Sequence, residues 1–159
     1  MSTEIKNVMV LGGRGNLGPY LTRALVRAGF NVSVLSRTSS NVIESIFLGA
    51  SIVKSDYTFL SLVDVFTGQD AVISTLSTAN IAEQKIVIDA VAAAKVKRFM
   101  PSGFGSDTSV EGLETMAPFL KGKLDVMDYV KSKEAEGLSW TAIFSGPWID
   151  WLKAKDDSA

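Results

Sequence analysis

Residues 8–30 read "VMVLGGRGNLGPYLTRALVRAGF", and this stretch decides the fold. An apolar run from Val8 to Leu11 enters a loop in which Gly12, Gly15 and Gly18 stand three apart. Leu17, Leu21, Ala24, Leu25 and Ala28 then recur at helical spacing, and Gly29 supplies the stop. A strand, a glycine loop and a helix in that order can cradle a pyrophosphate. The first two glycines let backbone N–H groups approach the phosphates, and the third lets the helix pack close to the sheet. The helix N-terminus adds unpaired donors and partial positive charge. Pro19 sits just inside the helix, where no donor is needed. A tight turn that binds nothing would use the same glycines. The candidate cofactor-binding residues of the loop are Gly12, Gly13, Arg14, Gly15, Asn16, Leu17 and Gly18.

Outward from this unit the pattern repeats. Strand-like runs at 6–11, 31–35, 51–53, 71–76, 97–100 and 140–144 alternate with helix-period segments at 17–28, 42–48, 59–66, 81–94 and 120–136. In the 81–94 segment Ile81, Ile88, Val91 and Ala92 lie near one face. Residues 103–118 read as loop. Near-continuous apolar strands between helices argue a parallel sheet covered on both faces. Right-handed crossovers then give an α/β, doubly wound, Rossmann-like fold of three layers with strand order 3-2-1-4-5-6. Residues 1–150 read as one NAD(P)-binding domain and 151–159 as a polar tail.

Composition narrows the chemistry. The chain has 159 residues, one domain's worth, with 47% hydrophobic and 21% charged residues. Sixteen Lys and Arg against seventeen Asp and Glu leave a net charge of −1. That balance suggests neither a nucleic-acid footprint nor a polybasic membrane patch. There is no Cys, hence no disulfide, thiolate nucleophile or Cys-based metal site. There is no His, the commonest general base and transition-metal ligand. The first residues, "MSTEIKNVMVL", lack the shape of a signal peptide, and a cytoplasmic location is the default expectation.

The end of the second strand separates two cofactors. NAD-binding versions of this fold usually place an acid there for the ribose diol. This chain reads "VLSRTSS" instead, with Ser36, Arg37 and Thr38. A guanidinium matches a phosphate bidentately, so Arg37 favours NADP(H) over NAD(H). Arg14 offers a second cation on the adenosine side. Either arginine read in isolation is also compatible with a solvated loop charge.

Several motifs together resemble the NmrA-like and isoflavone-reductase-like proteins, which are atypical short-chain dehydrogenases. They are "GGRGNLG" at 12–18, "VLSR" at 34–37, "DAVISTL" at 70–76, "KRFMPSGFGSD" at 97–107 and "GLSWTAIFSGPWIDW" at 137–151. They span nearly the whole chain, and "KRFMPSGFG" is the specific one. The resemblance implies NADP(H) binding and hydride transfer to a small organic substrate. Two departures stand out. Gly103 replaces the Glu of the family's Pro-Ser-Glu-Phe-Gly motif, and Arg14 replaces a small residue or Thr.

In the reductase branch a Lys early in the helix after that motif assists proton transfer. Lys121 and Lys123 are the two candidates. Lys121 has Leu124, Asp125 and Asp128 at i+3, i+4 and i+7, a largely polar face. Lys123 has Val126, Met127 and Val130 there, which sets it on the apolar stripe facing the crevice. Burial and the nearby helix N-terminus would both lower its pKa. Lys123 is therefore the catalytic candidate. "YVKSK", Tyr129 to Lys133, matches the Tyr-x-x-x-Lys pair of typical short-chain dehydrogenases, but Lys133 falls almost at the helix end. Tyr129 reads as core or surface and Lys133 as a solvated charge. Phe119 stands four residues before Lys123, so the phenol of that pair is missing.

Ser102 and Phe104 follow the fifth strand, and Ser77 and Thr78 follow the fourth; topology places all four beside the cofactor. Gln84 resembles a recurrent position of the family, but from spacing alone it reads as an exposed helix residue. The family is usually about twice this length, and its C-terminal substrate-binding region is expected to be absent here. Trp148, Ile149, Trp151 and Leu152 would then form an apolar edge that invites a homodimer or a protein partner. The expected function is an NADP(H)-dependent reductase of a small molecule, with weak turnover as the chain stands. The alternative is a non-catalytic NADP(H)-binding sensor of the NmrA type.

Overall fold

β1 (Asn7–Leu11) lies at the middle of the sheet, and its sequence shows why: Val8, Met9, Val10 and Leu11 are all buried. The computed structural model describes residues 4–41, 47, 49–77 and 81–146. β1 pairs in parallel with β2 (Asn31–Arg37) on one side and β4 (Ala71–Ser74) on the other. β3 (Ser51–Ser55) adds outside β2, and β5 (Arg98–Met100) outside β4. The order is β3-β2-β1-β4-β5, a doubly wound parallel sheet.

Side chains alternate across the sheet. Met9 and Leu11 join a cluster with Leu62 and Phe66 of α2 (Phe59–Phe66), Val87 and Val91 of α3 (Ile81–Ala93), and Val126 and Val130 of α5 (Lys121–Ser132). Val8 faces the other way, with Ala71 and Ile73, against Leu21 and Leu25 of α1 (Gly18–Arg27). Each fully buried Val, Leu, Ile, Phe or Met among them contributes about 1.5–3 kcal/mol relative to exposure. The three expected layers are present.

Several boundaries differ from the sequence reading. The inward stripe of α1 runs through Gly18, Leu21, Thr22, Leu25 and Val26, whereas Ala24 and Ala28 are exposed. The last helix is α to Ser132, tightens to a 3₁₀ turn over Lys133–Glu136, and ends at Gly137 with φ of 90°. A short helix, α4 (Leu113–Met116), interrupts the 103–118 loop. The expected helix at 42–48 lies outside the described residues, apart from the buried Phe47. So do Trp148, Ile149, Trp151, Leu152 and the tail.

Among the described residues the sixth strand is reduced to one parallel bridge between Phe99 and Trp140. Phe99 N–H donates to Ser139 C=O at 2.9 Å, and Thr141 N–H donates to Phe99 C=O at 2.9 Å. The next β5 residue in that ladder is Pro101, which has no N–H to give. Among the described residues no helix is long and apolar enough to cross a membrane.

Candidate functional site

Crossovers leave β1 in opposite directions toward β2 and β4, so a crevice opens at the carboxyl ends of these strands. It is a cavity of about 830 Å³. Gly12, Gly13, Arg14, Gly15, Asn16 and Leu17 form one wall. Gly12 has φ of 73°, and a Cβ there would sit 2.7 Å from Thr75 C=O. Gly18 does not line the cavity. It is buried beneath it, and a Cβ there would fall 2.4 Å from Gly13 C=O. Gly15 N–H donates to Gly12 C=O at 2.8 Å. Among the described residues the N–H groups of Gly13, Arg14 and Asn16 have no backbone acceptor. Close backbone, donors without a backbone acceptor among the described residues and a helix N-terminus at one place fit a pyrophosphate.

Thr75, which the sequence reading passed over, fixes this loop. Its hydroxyl donates to Leu11 C=O at 2.7 Å and Gly12 C=O at 3.0 Å. The available signal was its position, one residue past β4 at the carboxyl end.

Arg37 ends β2 and lines the cavity with Ser36. Its guanidinium lies over the Tyr57 ring at 4.6 Å and pairs with the Glu83 carboxylate from the first turn of α3. The end of β2 itself lacks an acid, yet the fold brings one to it across 46 residues. Tyr57 is a buried lining residue with φ of 64°, and burial, then the Glu83 charge, pushes its phenol up to about 12. Arg14 also lines the cavity and donates to Ser40 Oγ at 2.9 Å. Thr38 is not among the lining residues; its N–H donates to Ser55 C=O at 3.0 Å.

The opposite wall comes from the ends of β4 and β5. Ser77, Ser102 and Phe104 line it, and Ser102 Oγ donates to Leu76 C=O at 2.8 Å. Thr78 lies outside the described residues. Gln84 is buried rather than exposed, and its amide donates to Ser77 C=O at 3.3 Å. Gly103 is buried against Ala142 and Phe144 and is not a lining residue, so its replacement of the family's Glu falls behind the wall.

The two lysines separate as their spacing indicates. Lys121 is exposed and pairs with Asp125 at 2.9 Å, which raises its pKa. Lys123 lines the cavity beside Gly105, where a Cβ would lie 3.1 Å from Lys123 Nζ. Burial holds its pKa below the ordinary lysine value. Phe119 lines the same mouth and is 85% exposed. Tyr129 and Lys133 face away from the cavity. Tyr129 OH donates to Asp89 at 2.7 Å, and Lys133 pairs with Asp89 and Glu136 at 2.9 Å each. Lys133 is thus an ion-paired residue with its side chain 16% exposed, not a solvated charge. These partners raise its pKa further, with the Asp89 hydrogen bond the largest cause.

The NmrA-like family model matches residues 4–149. Oxidoreductase aprR of Aspergillus flavus is 39% identical over 145 residues, covering 90% of this chain and 49% of the relative. An isoflavone reductase homolog of Zea mays, IRL, is 34% identical over 157 residues, covering 92% and 50%. Among solved structures, AtPrR2 with NADP+ and (+)-pinoresinol superposes with a TM-score of 0.77 at 31% identity, covering 89% of this chain and 50% of that one. The leucoanthocyanidin reductase–NADPH complex of Vitis vinifera gives 0.72 at 25%, covering 87% and 49%. The chain spans about half the length of the curated relatives it matches. With the motifs, the sheet order and the glycine-lined cavity in agreement, the chain belongs to the NmrA-like family.

Proposed function

We propose that residues 1–150 form the NADP(H)-binding domain of a reductase for a small organic substrate, with Lys123 as its proton-handling residue. One observation carries this reading: the half-buried Lys123 and the glycine loop line the same cavity. Relatives named as reductases, and neighbours holding NADP+ or NADPH, support it.

The free loop N–H groups would hold the pyrophosphate, and Arg37 the 2′-phosphate, which gives NADP(H) preference over NAD(H). Ser77, Ser102 and Phe104 would border the nicotinamide end. When bound, the nicotinamide supplies the hydride. The acceptor also gains a proton, and among the described residues of that wall Lys123 Nζ is the group able to donate it. Its lowered pKa brings it toward the range in which a general acid works.

The test is NADPH consumption with an enone or a quinone as acceptor. Steady consumption, abolished in Lys123→Ala, is the expected result. NADPH binding without consumption would instead favour a sensor of the NmrA type. That reading draws on the absence of a phenol at Phe119 and on the Tyr129–Lys133 pair being turned to Asp89.

A further inference from the structure

The cluster at the end of β2 holds one guanidinium in two different ways. Tyr57 supports the Arg37 group from its face, with the ring 4.6 Å below. The Tyr57 backbone is in the left-handed region, at φ of 64°, and its N–H donates to Ser55 Oγ at 2.9 Å. Such a conformation in a bulky residue persists only where the surroundings enforce it. Glu83 takes the other position. Its carboxylate pairs with Nη2, at the N–H edge of the same group, and its side chain is only 16% exposed. A phosphate also binds a guanidinium at that edge.

Resting on the NADP(H) reading above, we propose that Glu83 is a positioning residue that sets cofactor selectivity by competing with the ribose 2′-phosphate for the edge of Arg37. The two contacts differ in consequence. Stacking on Tyr57 leaves the N–H edge available, so Arg37 stays oriented when Glu83 is displaced. The carboxylate must yield or share that edge, and it repels the incoming dianion. A bare ribose diol demands no displacement, and a carboxylate can accept from its hydroxyl groups. Glu83 therefore narrows the preference for NADPH over NADH that Arg37 creates.

The experiment is a set of fluorescence titrations with NADPH and NADH on the wild type, Glu83→Gln, Arg37→Ala and the double variant. Glu83→Gln is expected to tighten NADPH about two- to fivefold, the range of a partly exposed ion pair. NADH should stay level or weaken. In the Arg37→Ala background the gain should vanish, because the competition runs through Arg37. Glu83→Ala repeats the charge removal with a strong helix former, and melting curves check that each variant is folded. Wild type binding NADPH while both Glu83 variants bind it equally or more weakly would overturn the inference and leave the functional reading intact. Binding of neither dinucleotide by any folded variant would overturn both.

Discussion

The two walls of the cavity are made of different material. On the glycine-loop side the backbone packs too closely to admit a side chain: a methyl group on Gly18 would fall 2.4 Å from Gly13 C=O, and Thr75 ties the loop through Leu11 and Gly12. On the Lys123 side the chain is a long loop and a helix tip, with Met116 67% and Phe119 85% exposed. The first wall is defined by close approach to a buried sheet. The second is defined by one half-buried lysine beside exposed neighbours. On the proposed reading, a dinucleotide would use the closely packed donors of the first wall and a substrate would meet the more exposed second wall.

Breaking each wall separately tests this contrast. Lys123→Ala should have the largest effect, lowering turnover by about 10²- to 10⁴-fold, the usual range for a general acid. The Kd for NADPH should stay within about threefold. The pH profile carries a sign: donation requires the protonated amine, so kcat/KM should fall as pH rises through a pKa below the ordinary lysine value of about 10.4. Gly18→Ala attacks the other wall. Pushing α1 off the loop should weaken NADPH about 100-fold and lower Tm, since overpacking costs about 1–3 kcal/mol. Arg37→Ala should weaken NADPH about tenfold or more and leave NADH within about twofold, as read by titration.

The smallest effect should come from the foot of the sheet, away from both walls. Asp70 accepts from Lys6 N–H at 2.9 Å and Asn7 N–H at 2.8 Å, and it pairs with Lys97 at 2.7 Å. The backbone donor of Asn7, then Lys97, holds its carboxyl far below the usual range. A pKa lower in the folded than in the unfolded chain stabilises above about pH 4 and is lost as pH falls below it. Asp70→Asn should therefore lower Tm by roughly 3–6 °C at pH 7 and flatten the acid limb. Cofactor affinity should be unchanged. A loss of NADPH binding in this variant would show the glycine wall to be less independent than its contacts indicate.

What was legible in the sequence follows the same contrast. The strand–helix alternation and the facing of Lys123 rather than Lys121 toward the cavity rest on local periodicity, the glycine loop on its spacing, and the sheet order on right-handed crossovers, all readable without coordinates. The sixth strand was over-read because its own residues suit a strand, while the limit lies in its neighbour: Pro101 lacks the N–H that a longer ladder needs. Gln84 was misread although the signal existed. Gln84, Val87, Ile88 and Val91 fall at i, i+3, i+4 and i+7, which marks Gln84 as inward once Ile81 is not taken as the anchor. Glu83 and Tyr57 had no such signal. They reach Arg37 through the sheet crossovers, from 46 and 20 residues away. Lys133 looks solvated in the sequence because Asp89, its partner, lies on a different helix.

The most direct test of the central claim is a parallel titration of the purified chain with NADPH and with NADH, read by nicotinamide fluorescence. Saturable NADPH binding, at least about tenfold tighter than NADH, is the expected result. Equal binding of the two would contradict the role given to Arg37, and binding of neither would contradict the assignment of the cavity.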